Sequence, residues 1–72
     1  MNRTHKPDLK AIGARIRRLR DKIRQEEFAD QLGISQGQLS KVERGKTPPT
    51  LEMLVILANR FHTTLDWIVR GD

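Results

Sequence analysis

Residues 25–45 read QEEFADQLGISQGQLSKVERG, and they contain two short helical patterns joined by a turn. The first pattern covers about residues 25–32 and places its apolar side chains on one side. Its small residue Ala29 allows a second helix to pack closely, and Gly33 is suited to end it in the left-handed conformation. Ile34 is apolar inside the turn, where it can anchor the turn to a core. This combination predicts a helix-turn-helix.

The second helix of this pair is unusually polar. Ser35 is a good N-cap for it, and only Leu39 and Val42 face inward. The outward side chains are those of Gln36, Gln38, Ser40 and Lys41. A narrow apolar seam with outward amides suits the major groove of DNA, where amides pair with adenine and Lys with guanine. A plain corner of two helices is the alternative, and this polarity argues against it.

Upstream of the pair, the sequence predicts a basic arm and one amphipathic helix. Residues 1–7 are polar and lack periodicity, so we expect a flexible arm. Asp8 is a plausible N-cap for a helix over about residues 8–21. The apolar positions with helical spacing in that helix are Leu9, Ile12, Ile16 and Leu19.

Downstream, two further helices complete an all-α prediction. The prolines in residues 46–49 make a rigid connection. Thr50 then caps a fourth helix. Thr64 caps a short last helix, which ends at Gly71. The fourth helix carries Leu51, Leu54, Val55, Leu57, Ala58 and Phe61, and the last carries Leu65, Trp67, Ile68 and Val69. No strand pattern or internal repeat competes with five short helices.

Length and composition exclude several classes of protein. Seventy-two residues make one small domain, and the lack of cysteine excludes disulfides, thiolate metal sites and thiol nucleophiles. His5 and His62 are too far apart for metal-ligand spacing, and neither a Ser/His/Asp set nor a phosphate-cradling glycine loop is present. No apolar run is long enough for a membrane span or a signal peptide. We therefore expect a cytoplasmic protein that is not an enzyme and has no metal, cofactor or small-molecule ligand.

The net charge of +5 is unevenly distributed. Residues 1–24 hold nine basic and two acidic side chains, whereas the rest of the chain is slightly acidic. A basic face favours a polyanionic partner, either nucleic acid or an acidic membrane surface. Membrane attachment is disfavoured because the core requires the narrow apolar stripe of the first helix. A protein-interaction module that has lost DNA binding remains an alternative, although it would favour exposed aromatic residues.

The stretch RQEEFADQLGISQGQLSKVERGKTPPTLEML resembles the Cro-like and phage-repressor-like helix-turn-helix family. The resemblance extends through IGARIRRLR and TTLDWIVRG, so it covers about residues 9–71. It implies a compact five-helix lambda-repressor-like domain over residues 8–72, with its helix-turn-helix motif at about 25–44. It also implies a sequence-specific transcriptional regulator, most often a repressor, that places residues 36–44 in the major groove of a double-stranded operator.

The resemblance also implies a role for individual residues. Base contacts fall to Gln36, Gly37, Gln38 and Lys41, and phosphate contacts to Gln25, Ser35, Ser40, Arg44, Lys46 and Thr47. Arg20 and Glu43 match a pair that forms an internal salt bridge in many members. Phe28, Leu32, Leu39, Val42, Leu54 and Leu57 match core positions, and Trp67 matches an aromatic residue of the core or the dimer edge.

Three departures from the family pattern affect the site. Only residues 21–24 separate Arg20 from Gln25, which resembles a short-turn subset of the family. Arg24 stands where a Ser or Thr usually caps the second helix, at a cost of about 1 kcal/mol, and it becomes a further candidate for a phosphate contact. Gly37 stands where many members have a base-reading side chain, so any readout there is absent or comes from Gln38.

Family members generally act as two-fold dimers on palindromic sites, which predicts recognition helices about 34 Å apart. We expect a homodimer surface at Pro48–Glu52 and in the last helix at Trp67 and Val69. The chain ends just after that helix, so control is expected to come through concentration, dimerisation or a separate regulatory protein.

Overall fold

The computed structural model describes residues 7–72, which form five helices without a strand. The helices are α1 (Leu9–Arg20), α2 (Gln25–Leu32), α3 (Gln36–Glu43), α4 (Leu51–Arg60) and α5 (Leu65–Arg70). The all-α prediction is confirmed, and the helix bounds agree within one or two residues. Apart from Pro7, the predicted N-terminal arm lies outside the described residues. Over that range, no helix is long and apolar enough to cross a membrane.

Local sequence signals set the ends of the helices. The side chains of Asp8, Thr50 and Thr64 each accept a hydrogen bond from the backbone N–H three residues later, as their N-cap positions predict. Gly33 ends α2 with φ 73°, and the N–H of Ile34 then donates to the carbonyl of Ala29. These two features close α2 and turn the chain directly into α3.

The short connection between α1 and α2 contains a strained residue. The N–H of Ile23 donates to the carbonyl of Arg20 at 2.9 Å, which closes a four-residue turn. Asp21 has φ 50° and ψ −116° there, which is the first central position of a type II′ turn and favours glycine. Arg24 follows as the N-cap of α2 without a side-chain cap bond, as predicted. The chain therefore makes the short connection at the expense of backbone strain.

The hydrophobic core lies where all five helices meet. Its buried side chains are Ile12, Ile16, Phe28, Ala29, Leu32, Leu39, Val42, Met53, Leu57 and Ile68. The ring of Phe28 lies at its centre, fully buried and 6.0 Å from the ring of Phe61. α1 packs against α3 and α5, and α2 packs against α3. This arrangement holds α3 on two sides and leaves its polar face exposed.

The face of α4 that packs against the core differs from the face that its apolar residues predict. Leu54, predicted to be buried, packs only partly against the core, whereas Met53 is 3% exposed. Leu51 and Val55 are 69% and 44% exposed. α4 is apolar around most of its circumference, so helical periodicity alone does not select the face that meets the core.

A close approach of α1 and α3 fixes the position of α3. Gly13 is buried in α1, and a Cβ atom added there would lie 2.4 Å from the carbonyl oxygen of Val42 and 2.5 Å from that of Glu43. Only a glycine allows the backbones of the two helices to come this close.

Candidate nucleic-acid interface

The exposed face of α3 carries all four of the residues predicted to contact bases. The side chains of Leu39 and Val42 are buried on the inner side of α3. The exposed residues of the face are Gln36, Gly37, Gln38 and Lys41. They occupy the first turn of α3 and one position in the second, where Lys41 lies on the same side of the helix as Gly37 and Gln38. We refer to these four residues as the recognition surface.

A chain of hydrogen bonds connects the recognition surface to the core. The amide Nε2 of Gln36 donates to Oε1 of Gln25 at 3.2 Å, and Nε2 of Gln25 donates to Oε1 of Glu43 at 3.0 Å. Arg20 completes the chain, since its Nε and Nη2 donate to the two carboxylate oxygens of Glu43 at 2.7 and 3.0 Å. Nη1 of Arg20 also donates to the carbonyl of Ile23 at 3.0 Å.

The Arg20–Glu43 pair is the internal salt bridge that the sequence predicted. The two side chains are 15% and 4% exposed, so the pair is largely shielded from water. A two-point contact between a guanidinium and a carboxylate fixes the orientation of both groups. Glu43 is thereby held in the position that receives Gln25, and Gln25 in turn orients the amide of Gln36. Sequence reasoning missed the Gln25–Gln36 contact, because this contact depends on how α2 approaches α3.

Gln38 is partly engaged within the helix. Its Oε1 accepts from the N–H of Ser35 at 2.9 Å, while its own N–H donates to Oγ of Ser35 at 3.1 Å. This capping box satisfies two backbone donors at the start of α3. The amide NH₂ of Gln38 and the hydroxyl hydrogen of Ser35 are the groups of these side chains that stay available for a nucleic acid.

The predicted phosphate-contacting residues lie around both ends of α3. Arg24 is exposed next to Gln25 at the start of α2, where first-turn N–H groups lack a side-chain cap and can meet an anion. Lys46 and Thr47 are exposed after the end of α3. Arg44 is also exposed, with its Nε 3.3 Å from the carbonyl oxygen of half-buried Ser40.

These features together define a helix-turn-helix domain of the DNA-binding class, in which α3 is the second helix of the motif. The comparisons with known proteins agree. The helix-turn-helix family model matches residues 15–68, which is most of the chain. The chain therefore belongs to the Cro-like and phage-repressor-like helix-turn-helix family of transcriptional regulators. This family consists of non-enzymatic DNA-binding regulators, which agrees with the expectation that the chain is not an enzyme.

Several solved structures are similar to this chain over most of its length. The P22 c2 repressor in complex with a synthetic operator is 35% identical, with a TM-score of 0.75 over 85% of this chain and 96% of that one. The restriction-modification controller protein C.AhdI from Aeromonas hydrophila is 28% identical, with a TM-score of 0.70 over 85% and 91%. The clp gene regulator ClgR from Corynebacterium glutamicum is 26% identical, with a TM-score of 0.69 over 82% and 65%. Among curated proteins, none matches significantly.

Proposed function

We propose that this protein represses transcription by binding a palindromic DNA operator as a homodimer, with α3 of each subunit in the major groove. The observation that carries the proposal is the exposed recognition surface, which is held in place by the bonds from Arg20 through Glu43 and Gln25 to Gln36. The P22 c2 repressor, which was solved with an operator, supports the same use of this fold. Repression then follows from occupancy of a promoter in the cytoplasm of a bacterium or an infected cell.

Base reading falls mainly to Gln36 and Lys41. A Gln amide makes a two-point contact with adenine N6 and N7, and a Lys ammonium donates to guanine O6 or N7. Because Gln25 already accepts from Gln36, the amide plane of Gln36 is oriented before DNA arrives. Preorganisation of this kind lowers the entropy lost on binding.

The phosphates are contacted by Arg24, Arg44 and Lys46, with support from Thr47. These contacts position α3 along the duplex. Such contacts carry no sequence information themselves, but they fix the register of the recognition helix. They also make the affinity fall steeply with salt concentration, because each neutralised phosphate releases a counterion.

The proposed dimer surface lies at the start of α4 and the start of α5. Leu51, Val55 and Leu65 are 69%, 44% and 39% exposed, and they are the large apolar side chains most exposed in residues 7–72. Trp67 and Val69 are half-buried against the core, so they contribute less than the sequence suggested. To read two half-sites one turn of B-DNA apart, a second copy on this surface has to hold the two recognition helices about 34 Å apart.

The experiment is selection of binding sites from random duplex DNA at two salt concentrations. We expect a palindrome whose half-sites are about one helical turn apart. Gln36→Ala should weaken binding to that site by about 1–3 kcal/mol and relax its sequence. Gln31→Ala removes the same amide from an exposed position on α2 and serves as the control. Lys46→Ala should weaken binding to all sequences alike and flatten the salt dependence.

Each part of the proposal has an outcome that contradicts it. Enrichment of no sequence by the wild-type protein would exclude specific DNA binding. Sedimentation as a monomer both free and on the selected site would exclude the dimer. Unchanged transcription from a promoter that overlaps an occupied site would exclude repression by occupancy.

A further inference from the structure

A groove lies beside the recognition surface, between the end of α3 and the start of α4. Its volume is about 330 Å³. The residues that line it are Ile34, Gln38, Lys41, Val42, Thr47, Pro48, Thr50 and Met53. We refer to it as the α3–α4 groove. The proposed dimer surface and the proposed base contacts leave its apolar part without a role.

The floor of the α3–α4 groove is apolar. Val42 and Met53 are core residues, only 4% and 3% exposed, and they form its deepest part. Half-buried Ile34 packs against the same core, and Pro48 is exposed at the edge of the groove. An apolar side chain that enters the groove is removed from water together with this floor, which is favourable.

The rim of the groove is basic. Lys41 lines the groove and is exposed. The N–H of Lys46 donates to the carbonyl of Lys41 at 2.8 Å, which brings the backbone of a second exposed lysine next to that of the first. Within residues 7–72, none of the residues that line the groove is acidic. A ligand that carries an apolar group beside a negative charge therefore complements the groove.

We propose that the α3–α4 groove is a docking site for an acidic segment of a regulatory protein. The segment inserts one large apolar side chain between α3 and α4 and places a carboxylate at Lys41. Because Gln38 and Lys41 also belong to the recognition surface, this segment and an operator exclude each other. The docking is argued from the groove itself, whereas the exclusion rests on the DNA-binding function proposed above.

Other occupants match the groove less well. A small-molecule site encloses most of its ligand, but Gln38, Thr47 and Pro48 are exposed and leave one side open. A two-fold contact between copies places the same surface on both sides, so the basic rim would face another basic rim. A phosphate backbone would pair with the lysines, but it has no apolar side chain to cover Met53.

The experiment is an NMR titration of ¹⁵N-labelled protein with the acetylated and amidated peptide Gly-Glu-Phe-Glu-Gly. We expect saturable shifts in the backbone N–H signals of Ile34, Val42, Thr47, Thr50 and Met53. A peptide with Ala in place of Phe should bind at least about tenfold more weakly, because it lacks the apolar side chain. A peptide with Lys in place of both Glu residues should also bind at least about tenfold more weakly, because the basic rim repels it.

Two neighbouring prolines provide a matched pair of variants. Pro48→Ala removes a ring from the groove and should weaken binding of the Glu-Phe-Glu peptide about fivefold. Pro49 does not line the groove, so Pro49→Ala should bind within about twofold of the wild type. N–H signals far from the substitution should stay in place in both variants, which shows that the fold is retained.

The exclusion is measured by fluorescence anisotropy of a labelled operator. The Glu-Phe-Glu peptide in excess should release the operator, whereas the peptide with Ala should not at the same concentration. Simultaneous binding of the peptide and the operator would overturn the exclusion.

Four results would overturn the docking site. The first is the absence of shifts at the groove with about 5 mM peptide, which would detect a Kd of about 1 mM, and the second is equal binding of the peptides with Glu and with Lys. Third, shifts of the same signals when the protein alone is concentrated would assign the groove to a second copy. Fourth, a loss of operator affinity in Pro48→Ala that Pro49→Ala does not share would assign it to DNA. A protein that selects no operator would contradict the proposed function, and the peptide titration, which contains no DNA, would still decide the docking.

Discussion

Gly13→Ala should destabilise the protein by moving the recognition helix away from α1. The added Cβ atom would lie 2.4 Å from the carbonyl oxygen of Val42 and 2.5 Å from that of Glu43. Non-bonded heavy atoms are most favourable at about 3.5–4.0 Å, so the two helices must separate by about 1 Å. Both contacts are with backbone atoms, and no side chain can rotate away to relieve them.

The expected loss follows from two opposing effects. Overpacking in a core costs about 1–3 kcal/mol, and a collision with backbone belongs at the upper end. Alanine is a better helix former than glycine by about 0.8–1.0 kcal/mol, which offsets part of the loss. The net destabilisation is therefore about 2 kcal/mol, and it lowers Tm by about 8–16 °C in a domain of this size.

Circular dichroism at 222 nm during heating and during urea titration measures this change. Gly37→Ala is the matched control, because it adds the same methyl group where the nearest atom is 3.9 Å away. The control should keep or raise Tm, while Gly13→Ala lowers it. If Gly13→Ala unfolds at or above the wild-type temperature, the close approach of α1 and α3 does not constrain the fold, and the reasoning fails.

Three further substitutions test other contacts. Asp21→Gly should raise the free energy of unfolding by about 0.5–1 kcal/mol, because glycine adopts the positive φ without strain. The greater entropy of glycine in the unfolded chain offsets part of this gain. A lower urea midpoint would contradict the prediction. Glu43→Gln should lower the free energy of unfolding by about 2–3 kcal/mol, since the guanidinium of Arg20 loses its buried counter-charge. An unchanged urea midpoint would show that the charge is dispensable. Arg15→Ala removes the hydrogen bond from Nη1 to the carbonyl of Ile68 at 2.9 Å. It should lower the free energy of unfolding by about 1–2 kcal/mol and make hydrogen exchange in α5 faster. Unchanged exchange in α5 would show that this bond does not hold the helix in place.

The features that the sequence predicted well are those set by neighbouring residues. Ser35, Thr50 and Thr64 accept from an N–H three positions later, and such contacts form whenever the helix does. The same holds for Gly33, which closes α2 through bonds within six residues. Helix order and bounds were therefore readable from the sequence alone.

The features that the sequence did not predict depend on how helices meet. Met53 is buried and Leu51 exposed because of the angle at which α4 reaches the core, and an almost entirely apolar helix carries no pattern that reveals this angle. The same limit applies to the site. The polar side chains of the recognition surface were predicted by their residue types, and Gly37 was implied by the family resemblance. The bond between Gln25 and Gln36 arises only when α2 and α3 are packed together.

The position of α3 depends on the absence of a methyl group on the side that faces α1. On the inner side, Gly13 lets α1 approach the backbone of Val42 and Glu43, and Glu43 is the residue that receives both Arg20 and Gln25. A shift of α3 by about 1 Å at this contact would stretch hydrogen bonds whose useful range spans only about 0.5 Å. The orientation of the Gln36 amide is thus coupled to core packing.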